Sequence, residues 1–96
     1  MINNFSTKTA KDIYDGVDSR YSRRIDRNLH SKIRRLFDQL EVVRHVEELK
    51  VPPSNNLEKL SGKLKNYWSL RINLQFRVIF KWQDGIAYDV DVLDYH

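Results

Sequence analysis

The run Tyr67-Trp68-Ser69-Leu70-Arg71-Ile72-Asn73-Leu74-Gln75-Phe76-Arg77-Val78-Ile79-Phe80-Lys81-Trp82 decides the fold. Trp68, Leu70 and Ile72 are apolar and alternate with Ser69, Arg71 and Asn73. Phe76, Val78, Phe80 and Trp82 are apolar too, with Arg77, Ile79 and Lys81 between them. A period of two predicts strands with one face on a core. Tyr88, Val90 and Val92, separated by Asp89 and Asp91, predict a third strand of the same kind. The Asn73-Leu74-Gln75 turn and the Asp84-Gly85 turn join the three as an antiparallel meander. Every expected core position carries an even number. Partners across a hairpin share a face, so their numbers must sum to an even total, which a loop at 73–75 provides. That register sets Arg71 opposite Arg77, both pointing away from the core.

Working outward, the first half of the chain has a helical period. Ala10, Ile13, Tyr14 and Val17 predict a short amphipathic helix, with Ser6 or Thr7 as its cap and Gly16 near its end. Ile25, Leu29, Ile33, Leu36, Phe37 and Leu40 predict a longer one, with Arg24, Arg27, Arg34 and Arg35 mostly off its apolar stripe. Val42, Val46 and Leu49 add a turn or two before Pro52-Pro53 stops the helix. Asn56-Leu57-Glu58 starts a further strand, and Ile2 to Phe5 supplies an edge strand. The expected class is α+β: N-terminal helices packed on one face of a mostly antiparallel, twisted sheet, with the other face basic and open.

With 96 residues and 11.5 kDa, the chain is expected to form a single domain, 1–96. A content of 41% hydrophobic and 31% charged residues, with three Gly and two Pro, excludes a collagenous repeat or a disordered linker. Without cysteine there is no disulfide framework and no thiolate chemistry. No apolar run has the length of a signal peptide or a membrane span, so the expected location is cytoplasmic with no membrane partner. The charge is +4, and seven basic residues between Arg20 and Arg35 face a single acid, Asp26. Such a segment suits a polyanion, because each neutralised phosphate releases counterions; a merely solvated helix face is the plain alternative. No phosphate-cradling glycine loop, HExxH or GxSxG occurs, and His30, His45 and His96 are scattered, so no metal or cofactor is expected.

What remains is the Arg71/Arg77 pair, Glu58 and the closing Asp94-Tyr95-His96. Like charges directly opposite on a sheet repel unless an anion joins them. Asp89 and Asp91 project to the same face and are the structural alternative, although the register puts Asp89 nearer Lys81. Arg77 lies mid-strand on the open face, so its removal is expected to shift the melting temperature by only a few degrees. A carboxylate, arginines and a histidine suffice for metal-free RNA cleavage. A base takes the ribose 2′-OH proton, cations stabilise the phosphorane, and an acid protonates the leaving oxygen. Tyr95 can stack on an unpaired base. The plain alternatives are that Glu58 pairs with a lysine, Tyr95 caps the core and the final histidine is frayed.

At these residues the chain resembles a known family. Asn56-Asn-Leu-Glu-Lys-Leu-Ser-Gly62, the run Tyr67 to Asn73, Phe76 to Phe80 and Asp94-Tyr95-His96 are similar to HigB-type toxins of the RelE/ParE toxin–antitoxin superfamily, in the branch reading Leu-Glu-x-Leu-x-Gly. Met1-Ile2-x-x-Phe5 also matches the usual start. The resemblance implies a RelE-like fold and a ribosome-dependent endoribonuclease, an mRNA interferase that cuts mRNA in the A site of the 70S ribosome and stops translation. It also implies a HigA-type helix-turn-helix antitoxin, with operator DNA bound only through the toxin–antitoxin complex. By position, Arg77 resembles the phosphate-stabilising arginine, Asp94, Tyr95 and His96 the C-terminal active-site cluster, and Arg71 an arginine common in this branch. Glu58 and Ser61 stand where some relatives carry a catalytic His and Lys, so Glu58 is the candidate base. Lys59, Lys63 and Lys65 are candidate phosphate contacts, and Arg24, Arg27 and Arg35 candidate ribosome contacts. Two other classes stay open: a non-catalytic toxin that binds a protein such as gyrase, as in the ParE branch, and a degenerate module that only binds its antitoxin.

Overall fold

In the computed structural model, which describes residues 1–95, the alternating second half forms a four-stranded antiparallel sheet. Its strands are β1 (Glu58–Lys59), β2 (Trp68–Arg71), β3 (Phe76–Gln83) and β4 (Ile86–Asp94), adjacent in chain order. Trp68 pairs with Phe80 and Arg71 with Arg77, the register expected from parity. The Asn73 side chain closes the turn by accepting from the Gln75 and Phe76 N–H groups at 2.9 and 2.8 Å, a local bond that short polar side chains offer a turn. The N-terminal segment lies along the β4 edge, yet it forms two isolated parallel bridges and not the full edge strand expected: Ile2 bridges Ala87 and Phe5 bridges Val90.

One expectation fails in β4. Ile79 pairs with Asp91, but Lys81 pairs with Tyr88, so the ladder slips between them. Asp89 sits at φ 50°, a left-handed conformation that Asp tolerates better than most residues. The bulge inserts one residue and reverses the parity behind it. Val90 remains in the core, but Ala87, opposite Trp82, is the next core residue. Tyr88 turns to the outer face beside Lys81.

Helix α1 spans Lys8–Asp15, with Thr7 Oγ1 accepting from the Ala10 N–H at 3.2 Å and left-handed Gly16 ending it. Ala10 and Ile13 are fully buried, whereas Val17 lies beyond the helix and is exposed. The expected long helix starts late. Helix α2 spans His30–Val42, preceded by 3₁₀ turns at Ser22–Arg24 and Arg27–Leu29. The cause is Asp26, whose carboxylate accepts from the Asn28 N–H at 2.9 Å and so competes with helix for a backbone donor. Ile25 is extended yet buried, which keeps the apolar pattern running through the break. Ile33, Leu36, Phe37 and Leu40 are fully buried against the sheet's helix side, but Val42 is exposed. Val46 and Leu49 are buried on a separate 3₁₀ turn, Val46–Lys50. Fully buried Asn55 ties that loop to α2: its amide donates to Gln39 Oε1 and to the Leu49 carbonyl, and its oxygen accepts from Arg35 at 3.1 Å.

The outer face is less open than expected. Ser69, Arg77, Ile79 and Leu60 are buried, and Leu60 and Ile79 lie outside the helix-side cluster. Segment 60–67 bends over this face. The Leu60 N–H donates to the Tyr67 carbonyl, and Lys81 Nζ stands 5.3 Å from the Tyr67 ring centre.

Candidate functional site

Arg77 is the centre of the outer face. Its Nε donates to Ser69 Oγ and its Nη2 to the Asn56 carbonyl, both at 2.8 Å. The Ser69 bond follows from the register: Ser69 opposes Ile79, one step along the same face from the Arg71–Arg77 pair. The Asn56 bond follows from the left-handed turn (φ 47°) that leads into β1. Arg77 is therefore 8% exposed and anchored at two points, not the free side chain on an open face that the alternation suggests.

Around it converge three more candidates. Glu58 is exposed, accepts from Asn56 Nδ2 at 3.2 Å and holds Oε2 at 3.9 Å from Arg77 Nη2, so its cationic neighbour is an arginine and not a lysine. The Tyr95 ring centre lies 5.8 Å from the Arg77 guanidinium carbon. Tyr95 is held through its N–H, which donates to the Gln75 carbonyl, and its ring stays exposed instead of capping the core. Arg71 is half-buried directly across from Arg77 and, among the described residues, makes no hydrogen bond or ion pair.

Neither Asp89 nor Asp91 neutralises this arginine pair. Asp89 accepts from Asn4 Nδ2 at 2.8 Å and pairs with Lys81 at 3.2 Å. The Asn4 bond, then Lys81, holds its carboxyl below the usual range against a small opposing effect of burial. Asp91 accepts from Thr7 Oγ1 at 2.7 Å and from its neighbour's Val92 N–H. Two guanidiniums thus share one face, with the Glu58 carboxylate near Arg77. That arrangement can hold a phosphate between cations with a base at its margin.

The other candidates are placed differently. Asp94 pairs with Phe76 at the end of the sheet and accepts from Gln75 Nε2 at 3.2 Å. His96 lies outside the described residues. Lys59 opposes Trp68 and stands over its ring at 5.3 Å, on the opposite side of β1 from Glu58. Lys63 and Lys65 are exposed on segment 60–67. Arg24, Arg27 and Arg35 do not share one helix: Arg24 and Arg27 lie on the two 3₁₀ turns, and only Arg35 is on α2. Sequence reasoning missed Ser69 and Asn56 as anchors and Tyr21 as the hub of the basic segment. Lys8, Arg20 and Arg24 stand 5.5, 4.8 and 5.3 Å from the Tyr21 ring centre. Three cations around one ring is a contact that residue order does not reveal. Among the described residues no cluster of His, Asp and Glu is arranged to hold a metal ion, and no helix is long and apolar enough to cross a membrane.

Comparison with known proteins gives a consistent picture. The sequence model of a family described as the RelE-like toxin of the type II toxin–antitoxin system HigB matches residues 3–96. The chain is 34% identical over 83 residues to Toxin HigB-1 of Vibrio cholerae, covering 86% of this chain and 85% of that protein. It is 33% identical over 62 residues to an uncharacterized protein of Haemophilus influenzae, covering 65% and 61%. Among solved structures, it is similar to a chain of the heterotetrameric YoeB–YefM toxin–antitoxin complex of Staphylococcus aureus. The TM-score is 0.53 at 19% identity, over all of this chain and 98% of the other. A second YoeB–YefM structure from that organism gives 0.53 at 18%, again over all of this chain and 98% of the other. Likeness at that identity concerns the fold.

Proposed function

This chain belongs to the HigB-like family of RelE-like toxins of type II toxin–antitoxin systems, and from that premise we propose that it is a ribosome-dependent endoribonuclease that cuts mRNA in the A site. The observation that carries the reading is the Arg71–Arg77 pair, which faces outward with neither Asp89 nor Asp91 bound to it. In this reading one domain, residues 1–96, works in the cytoplasm on the 70S ribosome. A HigA-type helix-turn-helix antitoxin neutralises it, and operator DNA is reached only through the complex. The toxin–antitoxin assemblies of the structural relatives support an antitoxin partner.

The chemistry is transesterification. Glu58 takes the 2′-OH proton as the 2′ oxygen attacks the adjacent phosphorus. The bond to the 5′ oxygen breaks, an acid supplies the proton to that oxygen, and a cyclic phosphate remains. Arg77 spends two of its N–H donors on Ser69 and Asn56, which fixes the rest of the guanidinium toward the phosphorane. A charge held in place before reaction is worth about 10²–10³ in rate. Arg71 is the second cation. Tyr95 stacks on a base, His96 is the acid by its resemblance, and Asp94 belongs to the same cluster. Lys59, Lys63 and Lys65 are phosphate contacts, and Arg24, Arg27 and Arg35 bind ribosomal RNA.

The test is mapping of 5′ ends of cellular RNA after a pulse of expression. In-frame cuts within translated regions are expected. DNA breaks without RNA cuts would point to a protein target such as gyrase, and no effect of either kind would leave only antitoxin binding.

A further inference from the structure

Beyond the arginine pair, the outer face continues into a second cleft of about 480 Å³, within the range of ligand pockets. Lys81 lies on the same strand and the same face as Arg77, about 13 Å further along at ~3.3 Å per residue. The bulge in β4 is what brings Tyr88 to this end, because it pairs Tyr88 with Lys81. Trp82, the next residue on the strand, turns its ring to the helix side against Phe80, with ring centres 6.2 Å apart at 78°, which leaves Tyr88 as the stacking ring of this cleft. Asn66 and Gln83 line the same cleft, are exposed, and among the described residues their side-chain amides make no hydrogen bond.

This set of groups has a clear chemical match. A side-chain amide offers a donor and an acceptor side by side, the pattern of a nucleobase edge. The Tyr88 ring offers the stacking surface that unpaired bases use. The charge is mixed: Lys81 is already paired with Asp89 at 3.2 Å, whose carboxylate would repel an anion placed beside it, while Lys59 at the edge of the cleft stands over the Trp68 ring and leaves a cation for the phosphate of a bound nucleotide. We propose that this cleft binds the base of an unpaired mRNA nucleotide flanking the one that is cut, with Asn66 and Gln83 reading its edge against Tyr88. The proposal rests on the nuclease reading and deepens it: the cleft would set sequence preference beside the cut, while the arginine pair acts on the phosphate of any sequence.

Two measurements separate the proposal from its premise. The first is a nuclear magnetic resonance titration with 2′-O-methyl trinucleotides of each base, which cannot be cut because the attacking hydroxyl is blocked. The side-chain amide signals of Asn66 and Gln83 and the ring signals of Tyr88 should shift, with about tenfold tighter binding for one base. The Asn66→Ala/Gln83→Ala double variant should lose that preference and keep its fold, since both side chains are exposed. The second is cleavage on ribosomes programmed with messages varied around the cut. The double variant should lose about tenfold in preference at one flanking position, chiefly through slower cleavage of the favoured message. Unchanged preference in a variant that still cuts would overturn the cleft assignment alone, as would trinucleotide shifts confined to Arg71 and Arg77. A parent that cuts no message while the three cleft signals titrate would overturn the nuclease premise and leave a nucleotide site. Absence of both responses would overturn both.

Discussion

Arg77→Ala should unfold the protein at a markedly lower temperature, because the residue is anchored on both sides of its guanidinium. The substitution removes two hydrogen bonds from a charged donor, each worth about 1.5–3 kcal/mol, and leaves the fully buried Ser69 hydroxyl without that donor. Against this stands the relief of no longer burying a guanidinium, and the 3.9 Å contact with half-exposed Glu58 adds at most a few tenths. The net loss is about 2–3 kcal/mol. At roughly 4–8 °C per kcal/mol for a chain of this size, the melting temperature should fall by about 8–24 °C. This replaces the shift of a few degrees expected from alternation alone. Arg77→Lys keeps the charge but reaches one partner at most, so it should melt between the two. Arg71→Ala is the internal control: without a bond to lose, it should stay within about 0.5 kcal/mol of the parent. Melting curves by circular dichroism at neutral pH give all four values. If Arg77→Ala melts with the parent, the Ser69 and Asn56 bonds do not hold the sheet together and the anchoring argument is wrong.

The same two arginines divide chemistry from stability: Arg71→Ala should slow cleavage on programmed ribosomes by about 10² with an unchanged melting temperature, and a parental rate would remove it from the phosphate site. Glu58→Gln should slow cleavage by about 10²–10⁴ if Glu58 is the base, again with little change in melting, since the side chain is exposed. Tyr14 donates to Glu41 at 2.7 Å, and that bond, with burial and the nearby carboxylates, pushes its phenol up to about 12. A raised folded value means the stabilisation is complete below the ordinary value of about 10 and is lost as pH climbs through the raised one. Tyr14→Phe should abolish that alkaline loss in chemical unfolding experiments. At the acid end, the Ser19 hydroxyl, which donates to nearly buried Asp12 at 2.6 Å, holds that carboxyl below its ordinary value despite burial. Its stabilisation is present above the ordinary range and lost as pH falls through the lowered value, so Ser19→Ala should flatten the acid limb of the stability curve.

The Arg71–Arg77 register was readable from parity and one short turn, because both act over a few residues. The bulge was not, because Asp89 sits in a run that alternates without interruption and an inserted residue leaves the apolar pattern intact. The late start of α2 was half-visible: Asp26 is a capping residue, but buried Ile25 disguises the break by keeping the helical spacing. At the candidate site, residue types and parity indicate Glu58, Arg77 and Arg71. They do not indicate the Asn56 carbonyl, because a backbone acceptor brought in by a left-handed turn has no side-chain signature. Nor do they reveal that segment 60–67 bends over the outer face, since its polar residues read equally well as a plain surface loop.

The parallel bridges from Ile2 to Ala87 and from Phe5 to Val90 also govern when this molecule can exist during its own synthesis. The first segment to be made has no partner until nearly the last strand is translated. Such long-range pairing closes late because the loop between the partners must be closed before any contact forms. Tyr95, beside Arg77, arrives later still. A nascent chain therefore carries arginines and helices but no finished sheet edge and no assembled site. The interval between emergence of α2 and completion of β4 is one in which the chain has its helices but none of the face that Arg77 organises.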